Sequence, residues 1–150
     1  MENILVAIDR PEHANQLIDQ AVRLAKLTHG KIWIIHVSPA DPDDYLAREA
    51  GPQYVYDQRA EERKKEAAFI ARCAEEIRSE HGLSAEGLLV TGSITETLRK
   101  KVEEHNIDLV VAGHQKRNLL YDLFTTNKKK DLIDELKVPL LAVPLSKKHD

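Results

Sequence analysis

Cysteine is nearly missing: Cys73 is the only one in 150 residues. A disulfide within the chain is therefore excluded, and no oxidising compartment is required. Long hydrophobic runs are missing too. Ile4–Ile8 and Val138–Pro144 fall far short of the ~20 residues that span a bilayer. The opening Met1-Glu2-Asn3 lacks the basic region of a signal peptide and passes straight into an apolar run. Nor does one sign of charge dominate. Lysine plus arginine is 22 and aspartate plus glutamate is 25, a formal charge of −3. That balance gives no whole-surface attraction to nucleic acid or to an anionic membrane.

Catalytic signatures are equally scarce. Histidines at 13, 29, 36, 81, 105, 114 and 149 show no close pairing, and neither HExxH nor a Cys/His metal spacing occurs. No GxSxG elbow, P-loop or dinucleotide fingerprint is present. A phospho-receiver domain needs an aspartate after its third strand, where this chain has Thr91-Gly92. The expectation is a cytoplasmic protein that is not an enzyme, with no metal and no cofactor.

What is present fits one globular unit. Residues 1–150 make a single domain's worth of chain, enough to bury roughly 68–70% of its unfolded surface. Apolar residues at 42% and charged residues at 31% place it among folded proteins. Ile4-Leu5-Val6-Ala7-Ile8 reads as a strand buried on both faces. Ile32–Val37, Leu88–Val90, Leu109–Ala112 and Leu140–Val143 read the same way. Between them lie apolar stripes at helical spacing. Ala14, Leu17, Ile18, Ala21, Leu24 and Ala25 form the first; Ala60, Ala67, Ile70, Ala74 and Ile77 form the second. Ile94, Leu98 and Val102 follow, with Ser93 and Glu96 spaced as a capping box, and Leu132, Ile133 and Leu136 close the series. Gly30 and Gly82 stand where helices end.

Strands alternating with helices predict an α/β fold, a five-stranded mostly parallel sheet with helices on both faces. Residues 39–57 interrupt the alternation as a long loop carrying Pro39, Pro42, Gly51 and Pro52. Loops of that length are often lids or binding segments, and Tyr45, Tyr54 and Tyr56 are placed to pack this one onto the body.

In an open parallel sheet, ligands bind beyond the carboxyl ends of the strands, where strand order reverses. For order 3-2-1-4-5 that crevice gathers Asp9 and Arg10 after the first strand and Gly113, His114 and Gln115 after the fourth. Val37 and Ser38 form a neighbouring wall. Asp9 either accepts hydrogen bonds from a ribose or an adenine amino group, or caps the helix beginning near Pro11. Lys116, Arg117 and Lys128–Lys130 make the region basic. Three lysines in the first turn of a helix oppose its macrodipole, which marks either a ligand site or merely a solvated helix start. Any small ligand or anion is expected near Asp9, Val37 and Gly113, with His114, Lys116 and Lys128 close by. The phosphate cradle itself is weak, because Gly113–Asn127 holds one glycine.

These segments resemble the universal stress protein family. The resemblance rests on Ile4–Asp9, Ile35-His36-Val37, Gly92-Ser93-Ile94, Asp108–His114 and Val138–Leu145, and it spans residues 3 to 146. It implies a Rossmann-like fold of the adenine nucleotide alpha hydrolase kind. Nucleotide-binding members resemble Gly-x2-Gly-x9-Gly-Ser/Thr after the fourth strand. Counted from Gly113, this chain puts Lys116, Thr126 and Asn127 at the remaining three positions. The Gly-His-Gln opening is similar instead to the group typified by universal stress protein A. That likeness implies a cytoplasmic homodimer without tight ATP binding, serving stress resistance. A nucleotide-binding switch is the alternative, with ATP or another adenine nucleotide as its ligand.

The fifth strand lies at the sheet edge in this order, which suits Pro139 and Pro144. Its uncharged centre is an aggregation hazard unless covered. Pairing with the same strand of a second copy through Val138, Leu140, Leu141, Ala142 and Val143 covers it. The other cover available is a loop or the charged tail Lys147–Asp150.

Overall fold

A computed structural model describes residues 2–38, 53–114 and 132–145, with the backbone alone at 53–58, 114, 132 and 133. Strands β1 (Asn3–Ala7), β2 (Lys31–Ser38), β3 (Ala85–Thr91), β4 (Leu109–His114) and β5 (Leu140–Pro144) form one sheet of five strands. Every neighbouring pair is parallel, and the order is β3-β2-β1-β4-β5 as expected.

The continuous apolar runs have a simple cause: both faces of the sheet are covered. Ile4, Val6 and Ile8 alternate with Leu5 and Ala7, and all five are buried. The even set packs with Ile32, Ile34 and Val111 against helices α1 (Ala14–Thr28) and α2 (Gln53–His81). The odd set packs with Trp33, Ile35 and Val110 against α3 (Ile94–Glu104) and α4 (Leu132–Leu136).

Helix boundaries differ from the sequence reading in instructive ways. Helix α2 spans 29 residues and begins at Gln53, so residues 53–57 of the expected loop are helical. Residues 39–52, with Tyr45, lie outside the described structure. Ala60 and Ala67, expected in the buried stripe, are exposed; Ile70, Cys73, Ala74 and Ile77 carry it instead. Periodicity could not place the start of α2, because Ala60 to Lys65 are exposed and bury no apolar face. Ser93 does start α3, but its side chain makes no capping bond, and Glu96 turns to Lys100 at 3.8 Å. At the end of α1 the left-handed residue is His29, with φ 56°, rather than Gly30. Gly82 fills that role after α2, at φ 65°, and its N–H donates to the Arg78 carbonyl at 3.1 Å.

At the amino ends of the strands the only tryptophan is locked in place. Trp33 Nε1 donates to Asn3 Oδ1 at 3.2 Å, and His105 stacks on its ring at 4.0 Å. Lys31 Nζ sits 3.9 Å from the ring centroid. This corner is structural and lies at the end of the sheet opposite the crevice. Among the described residues no helix is long and apolar enough to cross a membrane.

Candidate functional site

Connections run β1 to β2 to β3 on one side and return to β4 and β5 on the other, so strand order reverses between β1 and β4. Their carboxyl ends part there, as the general rule requires of a ligand crevice. Asp9 follows β1, half-buried, and Arg10 beside it is exposed. Arg10, not Asp9, occupies the cap position of the short 3-10 turn Pro11–His13 that leads into α1. Asp9 and Val37 come together, sharing a small cavity with Ile35, Ile94 and Leu98. Where described residues bound it, that cavity measures about 20 Å³, room for about one water.

Gly113 lies in β4 opposite Val143, one residue past the Ala7–Ala112 pair of β1 and β4. A Cβ built on it would stand 2.6 Å from Leu145 Cδ1, so the missing side chain makes room for Leu145. His114 ends β4 opposite Pro144. Its side chain, together with Gln115, Lys116, Arg117 and the lysines 128–130, lies outside the described residues.

A second polar site, which the pattern reading passed over, sits on the other face of the same strand ends. His36 Nδ1 is 2.9 Å from the Ile8 carbonyl oxygen, and Nε2 is 2.7 Å from Glu66 Oε2 on α2. A carbonyl only accepts, so Nδ1 is the donor in the first contact, and the second turns Nε2 to the carboxylate. Ser38 Oγ also donates to Glu66, at 3.1 and 3.2 Å from its two oxygens. Beside this network opens a cavity of about 280 Å³. The sequence carries one signal for it: His36 is the only polar residue within Ile32–Val37. A polar side chain at an inward position of a buried strand needs a partner.

Cys73 packs in the core with Ile70 and Ile77, and burial pushes its thiol above the ordinary value. That is the environment of an inert cysteine rather than a reactive one. No cluster suited to a metal ion occurs among the described residues.

The sequence model of the universal stress protein family matches residues 1–144. The chain belongs to the universal stress protein family. A universal stress protein A homolog of Haemophilus influenzae is 27% identical over 145 residues, covering 96% of each chain. Among solved structures, the universal stress protein UspA from Lactobacillus plantarum superposes with a TM-score of 0.66 at 18% identity, over 95% of this chain and 97% of that one. A universal stress protein family protein from Arabidopsis thaliana with AMP bound gives 0.60 at 16% identity, over 97% and 93%. At such identities the structural likeness speaks for the fold, a Rossmann-like α/β sheet.

Proposed function

We propose that this universal stress protein is a cytoplasmic, homodimeric stress-response protein of the UspA type, not a metabolic enzyme, and that it holds no ATP tightly. The observation carrying this reading is the sequence after Gly113. Lys116, Thr126 and Asn127 stand where nucleotide-binding members present glycine, glycine and a hydroxyl residue. Glycine lets backbone N–H groups approach a phosphate closely; side chains at those positions stand in the way. Lysine still attracts phosphate as a point charge, so a looser anion complex is compatible with the sequence. Protein purified without added nucleotide and then denatured should release no stoichiometric adenine absorbance. Release of one ATP per chain would overturn the reading.

The AMP-bound relative favours one second reading, an adenosine monophosphate at Asp9, Val37 and Gly113. That ligand lacks the β- and γ-phosphates and needs less of the missing cradle.

The dimer is proposed through β5, which pairs with β4 alone among the described strands. Val143 is buried in its own core, and Leu140 and Leu141 are half-buried against theirs. These side chains serve their own fold first, and Val143 joins a seam through its backbone. Ala142 is exposed, so it probes the seam with the least damage to the fold. Ala142→Asp should weaken the dimer by at least about tenfold, since an unpaired carboxylate would be desolvated there. Light scattering at tens of micromolar reads this out. A monomeric unmodified protein at that concentration would contradict the proposal.

A further inference from the structure

The cavity beside His36 and Glu66 lies on the face of the sheet away from Val37 and Ile94. It is walled by Ile8 and Pro11 from the first strand-to-helix connection and by Phe69 and Ile70 from α2. His36, Glu66, Lys65 and Asp9 complete it. At about 280 Å³ it lies near the lower end, ~300 Å³, of cavities that take small ligands. We propose that it is a second binding site, for a compact flat or apolar molecule bearing a cationic N–H head such as an amidinium or an ammonium group.

The hydrogen-bond inventory of the inner wall selects the head. Both nitrogens of His36 are engaged, one with the Ile8 carbonyl and one with Glu66. The Ser38 hydroxyl proton is given to Glu66 as well. The network therefore keeps no donor to offer a ligand. It does keep an acceptor, because a carboxylate has about four lone-pair positions and, among the described residues, Glu66 receives His36 and Ser38. An entering amidinium can use that capacity in a charge-assisted bond. An anion would meet the acceptor side of the network and, among the described lining residues, one cation, Lys65, whose side chain is exposed. The body of the ligand is selected by the other wall. Phe69 offers an aromatic surface, while Ile8 and Ile70 are almost fully buried and supply a floor already shaped by the core.

His36 and Ser38 serve this site as positioning residues, since they hold the Glu66 carboxylate at the end of β2 while α2 carries it past. The polar end is thus built by the fold before any ligand arrives, which limits the ordering cost of binding.

Three probes of one shape test the proposal on the unmodified protein: benzamidine, benzamide and benzoate. Benzamidine is expected to bind saturably with a dissociation constant of about 1 mM or tighter. Amide cross-peaks of Glu66, Phe69 and Ile70, which line this cavity and not the one at Val37, should move in nuclear magnetic resonance spectra. Benzamide should bind roughly tenfold more weakly, the scale of one charge-assisted hydrogen bond, and benzoate should not bind measurably. Glu66→Gln should reduce benzamidine to the level of benzamide. The proposal fails if benzamidine does not saturate, if benzoate binds as well, or if the shifts fall at Val37 and Ile94 instead. Unchanged benzamidine affinity in a folded Glu66→Gln variant would also sink it.

Discussion

Ile34→Ala is expected to cost about 2–5 kcal/mol of stability, the range for removing a fully buried branched side chain. Ile34 is wholly inaccessible at the centre of β2, in register with Val6 on one side and Gly87 on the other. It points toward α1 and α2 with Ile4, Val6 and Val111, where the sheet has no freedom to collapse around a void. For a chain of this length the melting temperature should fall by about 4–20 °C. Leu27→Ala is the matched control, because that side chain is 81% exposed, and its effect should stay within about 0.5 kcal/mol. Denaturant unfolding of the two variants checks the account. A loss below about 1 kcal/mol for Ile34→Ala would mean that the face under α2 is not packed as described.

The second large effect is expected from adding atoms. A Cβ on Gly87 would stand 2.5 Å from Ile70 Cγ2 and 3.2 Å from the Ile70 carbonyl oxygen. Helix α2 crosses β3 so closely there that the Ile70 side chain and backbone occupy the space a Cβ would need. Gly87→Ala should destabilise by about 1–3 kcal/mol, the usual penalty of overpacking, and Gly87→Val by more. Gly113→Ala is the informative comparison. Its clash is with the end of the Leu145 side chain, which can swing aside, so the loss should be smaller. Combining Gly87→Ala with Ile70→Ala should cost less than the sum of the two single changes, since truncating Ile70 removes the clash and the added methyl fills part of the space left. Additive losses, or equal losses at Gly87 and Gly113, would contradict this assignment.

Much of the fold was legible because the sheet is buried on both sides. Five apolar runs such as Ile4–Ile8 and Leu109–Ala112 have few other places to go in a chain this short, and the buried stripe of α1 matches its helical spacing. Reading failed where structure does not depend on an apolar stripe. The stripe read from Ala60 does fall within α2, but Ala60 to Lys65 are exposed, so spacing did not fix where the helix starts. At His29 an ordinary side chain takes the left-handed turn that glycine usually fills, although Gly30 stands beside it. The candidate crevice was legible in part. Asp9 and Val37 meet because strand order and register bring the ends of β1 and β2 together. The partnership of His36 with Glu66 spans 30 residues and joins a strand to a helix, a contact that no local spacing encodes.

The central claim, a universal stress protein that does not hold ATP tightly, is tested most directly by isothermal titration of the purified protein with ATP, ADP and AMP at physiological salt. The account predicts no saturable heat from ATP corresponding to a dissociation constant below about 1 µM. Tighter, stoichiometric ATP binding, weakened by changing Asp9 or Val37, would contradict it.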